Sequence, residues 1–340
     1  MTEILKNLCN LDGVSGDESA VSDFIISQID GFCDWKKDSL GNIIVHKNGK
    51  NTPKHKVMLD AHTDEVGLII CGITNEGFLK FHTVGGIETS SLMLRTVRFK
   101  NGVTGAISGK PIHLLDSSAR KKLPSPDTLY IDIGASSKEE AEKYISVGDT
   151  AVICGEYLES GDSIISKALD DRVGCAVLID LIKNYDEYGF YASFSVQEEV
   201  GLRGAKTSAF AIEPEFAIVL EATTAKDTGG VSEEDSVCDL GCGVAVSFMD
   251  RATVYDRKLY DTAIKSGIPA QPKRTVAGGN DSGAVHLSKE GVRTIALSLP
   301  CRYIHSPSSV ANKNDLMNLR KLAEYMLSKA ASGDIDDQPL

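Results

Sequence analysis

Apolar positions along the chain fall into two rhythms. Near the N-terminus Val21, Phe24, Ile25 and Ile29 recur at helical spacing behind Ser15 and Glu18, which are spaced as a capping box. "NIIVHK" and "KVMLDAH" then predict two strands. Between residues 71 and 163 helical periodicity is missing. "FLKFHTVG", "TVRFKNGVTGAISG", "TLYIDIG" and "DTAVICGEYL" read there as short strands, and Asn101-Gly102 predicts a type I′ hairpin. Beyond residue 163 strands and helices alternate. "DDRVGCAVLIDLIKNY" predicts a helix that buries Val173, Val177, Leu178, Leu181 and Ile182. "YASFSVQEE", "FAIVLEAT" and "TIALSLP" are apolar almost throughout, as strands buried on both faces are. A last helix, "DLMNLRKLAEYMLSKAA", puts Leu316, Leu319, Ala323, Met326 and Ala330 on one face.

This pattern predicts an α/β fold with a doubly wound, mostly parallel sheet, built from residues 1–70 and 164–332. A small β-barrel or sandwich would be inserted at 71–163, and 333–340 would form a disordered tail.

Composition narrows the partners. The chain has 340 residues, 42% hydrophobic and 25% charged, which is ordinary for a soluble globular protein. A net charge of −12 argues against nucleic acid and anionic membranes, since both attract basic surfaces. No apolar run approaches the roughly 20 residues needed to cross a bilayer. The first residues lack the apolar core of a signal peptide, so the expected location is cytoplasmic. Eight cysteines are scattered without a C-x-x-C pair and are expected to be reduced and structural.

Ligands of open α/β sheets bind outside the carboxyl ends of the strands. Those positions carry His62 and Asp64, Glu198 and Glu199, Glu221, and His305, while Asp170 and Asp171 enter the long helix. Singly, each is what a solvated loop carries. Jointly, imidazoles and carboxylates at five converging positions point to zinc or cobalt. Two such ions lie about 3.5–4 Å apart and need a carboxylate between them. A serine hydrolase is a poorer reading, because Ser282 of "NDSGA" opens a helix and no G-x-S-x-G exists. A glycosidase is poorer too, because adjacent Glu198 and Glu199 point to opposite sides of an extended chain, and there is one Trp. A non-catalytic metal or peptide-binding module would keep His62 and Asp170 without needing Glu198. The residues alone leave an aminopeptidase, a carboxypeptidase and a deacylase open.

In this order, "LDAHTDEVG", "KALDDRVGCAVL", "SVQEEVGLRGA" and "PCRYIHSP" resemble the glutamyl/leucyl aminopeptidase family, some of whose members have been labelled cellulase M or endoglucanase. The resemblance implies a dinuclear aminopeptidase acting on short peptides. His62 would bind the first metal, Asp170 would bridge, and Glu199 and His305 would bind the second. Glu221 would complete the first metal where many members have Asp. Glu198 would be the general base, turned from Glu199 by strand alternation, and Asp64 would fix the tautomer of His62. The resemblance also implies a dodecamer assembled from dimers through the insert. The insert holds no ligand cluster, and its strand edges would need covering, so its expected role is assembly. "AGGND" at 277–281 is expected to face the substrate. The motifs do not select among acidic, basic and aliphatic N-terminal residues.

Overall fold

The computed structural model describes residues 1–336 except 115, 118–120, 233–234 and 277. An eleven-stranded mixed sheet forms its spine. The centre is four parallel strands in the order Phe190–Ser195, Val57–His62, Phe216–Thr224 and Arg293–Arg302. Antiparallel strands flank them, Ile43–Lys47 and Asp34–Lys37 on one side and Ser309–Asn312, Ser163–Ser166 and Leu158–Ser160 on the other.

The central strands are buried on both faces because alternate side chains serve two cores. Val57, Leu59 and Ala61 pack with the long helices Leu169–Asn184 and Lys313–Ser332. Met58, between them, joins Ala205, Ala209 and Val285 of the short helices on the opposite face. The five apolar positions expected inward on each long helix are all buried. All four parallel strands point their carboxyl ends to one rim, where Phe190–Ser195 and Val57–His62 stop level with each other and the other two strands run on past them.

The insert is a closed six-stranded barrel with its own core, which includes Leu68, Phe81, Val97 and Ile131. Its strands lie between Gly67 and Ile153. The expected limits of 71 and 163 thus shift at both ends. Leu158–Ser160 and Ser163–Ser166 pair with each other and with Ser309–Asn312 in the large sheet. Closure pairs the edges of all six barrel strands, so edge covering gives no reason for assembly. The Asn101-Gly102 hairpin forms, but only Gly102 has positive φ, at 86°. Phe99 N–H donates to Val103 O, which leaves a three-residue loop where a type I′ turn was expected.

Two other expectations change. Ser15 and Glu18 do not cap the helix Ser19–Ile29; their side chains go elsewhere, as described below. The tail is partly packed. Ile335 is fully buried, and Asp336 meets His55 and Arg293, while 337–340 lie outside the described residues. No helix among the described residues is long and apolar enough to cross a membrane, and all eight cysteines are free.

Candidate metal centre

His62 ends its strand with its ring 1% exposed. Its Nδ1 lies 3.1 Å from the backbone oxygen of Asp64 and 3.4 Å from Asp64 Oδ1. Acceptors on that side favour the proton on Nδ1, which leaves the Nε2 lone pair free to bind a cation. Nε2 faces Asp170 Oδ1 at 3.3 Å and Glu221 Oε2 at 3.8 Å.

Asp170 opens the helix Leu169–Asn184 with non-helical φ and ψ. That geometry turns its carboxylate back over the rim. Its Oδ2 lies 3.2 Å from His305 Nε2, so each oxygen addresses a different imidazole. His305 follows the strand Arg293–Arg302 with φ at 58°, and its Nδ1 lies 2.8 Å from the carbonyl of Gly86 in the barrel. That contact fixes the second imidazole as Asp64 fixes the first. Glu199 Oε1 stands 3.3 Å from His305 Nε2. Beside it, Gly85 has φ at 79°, and a Cβ there would fall 2.8 Å from Val66 and 3.2 Å from Glu199 Cβ. The barrel thus touches the site through a close-packed glycine pair.

Glu198 and Glu199 do not lie on the strand, which stops at Ser195. Gln197 has φ at 57°, and Gly201 and Leu202 N–H both donate to Glu198 O. This turn, not strand alternation, separates the two carboxylates. Asp64 holds it, accepting from Glu198 N at 3.0 Å and Glu199 N at 3.1 Å, and from Ser15 Oγ at 2.6 Å. Glu18 accepts from Gln197 N. Both residues of the expected capping box therefore brace the site.

The electrostatics follow from burial. Burial pushes Glu198 and Glu199 up to about 8, helped by neighbouring carboxylates, and raises Glu221 well above the carboxylate range. Burial alone would lower the histidines. Asp170 and Asp64 outweigh it at His62, and Asp170 and Glu199 hold His305 near about 9. Asp170 also loses solvation, but His305 and His62 keep it well below the usual range. Burial thus holds Glu198, Glu199 and Glu221 protonated, the neighbouring carboxylates hold both imidazoles protonated, and a cation arriving there would displace the protons.

Among the described residues, Glu199 Oε1 and Glu221 Oε1 are buried with no hydrogen-bond partner. Orphaned acceptors beside imidazole nitrogens suit a divalent cation. Two groups bring one ligand atom per residue within 4.8 Å of each other, His62–Asp171–Glu221 and His62–Asp170–Glu199. Asp171 differs from the rest, because its oxygens accept from His62 N at 3.2 Å and Gly174 N at 2.9 Å. We assign it to positioning. The five expected ligands, His62, Asp170, Glu199, Glu221 and His305, converge, and the donor set fits a pair of cations. Glu198 lines the adjoining cleft, of about 590 Å³, as do Gly278, Gly279 and Asn280 of "AGGND"; Ala277 lies outside the described residues.

A buried ion cluster, not foreseen from sequence, ties the ligand-bearing segments together. Lys167 Nζ lies 2.6 Å from Glu65 Oε1, and Arg172 Nη2 lies 3.3 Å from the same oxygen. Lys167 also donates to Leu11 O and Arg172 to Leu8 O, anchoring the N-terminal segment. Charges in such a run look solvated in sequence.

The architecture has solved counterparts. An aminopeptidase from the archaeon Desulfurococcus kamchatkensis superimposes with a TM-score of 0.92 at 36% identity, covering 98% of this chain and 96% of that one. The Pyrococcus horikoshii TET1 peptidase, which can assemble into a tetrahedron or a large octahedral shell, matches with a TM-score of 0.83 at 35% identity, over 96% and 98%. A putative aminopeptidase of Acetivibrio thermocellus is 40% identical over 95% of this chain and 97% of its own length. The family model described as M42 glutamyl aminopeptidase matches residues 41–322, so this chain, a peptidase by class, belongs to that family.

Proposed function

We propose that the protein removes N-terminal residues from short peptides, using two divalent cations held by His62, Asp170, Glu199, Glu221 and His305. The observation that carries this reading is the Asp170 carboxylate, with one oxygen on each of two imidazoles whose other nitrogens are already engaged. Bound there, zinc or cobalt supplies Lewis acidity to the scissile carbonyl and acidity to a water. The chain's own residues do the rest. Glu198, on its turn beside the ligands, takes the proton of the attacking water and returns it to the leaving amine. Asp64 holds that turn and the His62 tautomer together, so base and ligands keep one geometry.

The assembly is proposed as a dodecamer built from dimers and enclosing the sites, which would admit peptides and exclude folded proteins. Its support is the likeness to the TET1 peptidase. A cytoplasmic location rests on eight free cysteines, as a reducing compartment maintains them. The test of function is hydrolysis of aminoacyl anilides by chelated protein, with zinc, cobalt or manganese added back. Activity lost on chelation and restored by metal supports the reading; activity that survives chelation refutes it.

A further inference from the structure

The turn at 278–280 lines the cleft, and its last residue, Asn280, is held from behind at two points. Asn280 is 5% exposed. One end of its amide accepts from the Ser282 backbone N–H at 2.9 Å, and a backbone N–H can only donate, so that atom is the oxygen. The other end is therefore the NH₂, and it lies 3.1 Å from Tyr255 Oη. Tyr255 gives its single proton to Asp250 Oδ2, while Asp250 Oδ1 accepts from Ala252 N and Thr253 N. The hydroxyl thus has no proton left for Asn280 Oδ1, 3.4 Å away, and accepts from the NH₂ instead. One donor remains. An amide carries two N–H groups, and among the described residues the second one of Asn280 meets no acceptor. Both anchors lie in the wall, so the cleft is the side from which an acceptor can arrive.

Packing fixes this turn against the reacting centre. Asp281, next in the chain, accepts from Ser195 Oγ at 2.7 Å, and Ser195 pairs with His62 across the sheet. A Cβ at Gly283 would fall 3.1 Å from Leu202 Cδ1, and Leu202 N–H donates to Glu198 O. The short helix Ser282–Val285 is thus seated on the turn that carries Glu198, and Asn280 stands on the Glu198 side of the cleft. Glu198 returns its proton to the leaving amine, so the peptide beyond the scissile bond lies on that side. The scissile carbonyl goes to the cations. The next main-chain acceptor is the carbonyl oxygen of the second residue.

We infer that Asn280 is a specificity-determining residue whose free amide N–H donates to the carbonyl oxygen of the substrate's second residue, which favours peptides over amides of a single amino acid. This rests on the aminopeptidase reading above. A main-chain carbonyl is common to all peptides, so the contact selects for a peptide without selecting its side chains. Ser282 and Tyr255 orient the donor in advance, so little entropy is lost when substrate meets it.

The test uses the intact, metal-loaded protein with leucyl-glycinamide, which has the second carbonyl, and leucyl anilide, which lacks it. Asn280→Asp keeps an oxygen for the Ser282 N–H and removes the donor. Asn280→Ser keeps a hydroxyl that can accept two residues on and shortens the reach. Each should lower the ratio of kcat/KM on leucyl-glycinamide to that on the anilide by about 5–100-fold, as leaving a desolvated carbonyl unpaired does. Tyr255→Phe keeps the free N–H and should lower Tm with the ratio nearly unchanged. A ratio unchanged in both Asn280 variants would overturn the inference. An equal fall in Tyr255→Phe would overturn it too, since the amide would then only brace the wall. A changed ranking of leucyl against glutaminyl anilide in the Asn280 variants would do the same, because the N–H would then address the first residue's side chain. Hydrolysis of neither substrate by wild type would instead sink the aminopeptidase reading.

Discussion

Replacing Asp64 with Asn changes no volume and removes one charge, and the structure says what this should cost. Oδ1 accepts from Glu198 N and faces His62 Nδ1, while Oδ2 accepts from Glu199 N and Ser15 Oγ. An amide has one oxygen. Whichever way it is turned, its NH₂ meets the backbone N–H of Glu198 or Glu199, and that buried donor is orphaned. One orphaned donor costs about 1–3 kcal/mol. The surviving bonds lose their charge assistance, which brings the total to about 2–4 kcal/mol. Asp64 is fully buried and its pKa is lowered, through His62, Ser15 and the Glu198 backbone against the cost of burial, so screening does not erode this figure. Part should appear as a lower Tm. The rest should appear as a loosened turn, with cation affinity down about 10–100-fold, as for other residues that orient metal ligands. The assay is competition for zinc against a chromogenic chelator, with Tm and leucyl-anilide kcat on the same samples. Ser15→Ala, whose loss orphans no backbone donor, should fall well short of Asp64→Asn in every reading. The reasoning fails if Asp64→Asn keeps cation affinity and kcat within about threefold of wild type, well inside that range.

Glu198→Gln should lower kcat at least about 10²-fold with cation content and KM nearly unchanged, as loss of a general base does; loss of bound cation instead would make Glu198 a ligand. Gly174→Ala should destabilise by about 1–3 kcal/mol, because the new Cβ would overlap both carboxylate oxygens of Asp171; an unchanged Tm would show that Asp171 is free to move. The pH dependence has a definite sign. Chelated protein keeps His305 near about 9 against an ordinary 6.5, and Glu198 and Glu199 near about 8 against 4.5. All three bind protons more tightly when folded, so each contribution is full below its ordinary value and lost as pH rises through the folded one. Tm of chelated protein should therefore fall steadily from about pH 5 to 9, and added zinc should remove the slope; parallel slopes with and without zinc would contradict this.

Much of the site was legible because ligands sit where apolar runs stop. His62 ends a strand and His305 follows one, Glu221 lies inside Phe216–Thr224 where its purely apolar run stops, and these positions share one rim in a parallel sheet. What could not be read depends on distant pairing. Leu158–Ser160 and Ser163–Ser166 have the local pattern of barrel strands, and only their pairing with Ser309–Asn312 assigns them to the large sheet. Ser15 and Glu18 satisfy a local rule, yet Asp64 and the turn at Gln197 compete for the same side chains and win. The carbonyl of Gly86 supports His305 through a backbone atom, which leaves no mark in residue type. Nothing local to Lys167 and Arg172 shows that Glu65 and two N-terminal carbonyls await them.

The central claim is a pair of cation sites sharing Asp170. Its most direct test is a calorimetric titration of zinc or cobalt into chelated wild type, His62→Ala and His305→Ala. The account predicts two ions per chain for wild type, at least one tight ion lost in each variant, and anilide hydrolysis that appears only as the sites fill. A wild type that binds no ion, or variants whose stoichiometry and affinity match it, would contradict the account.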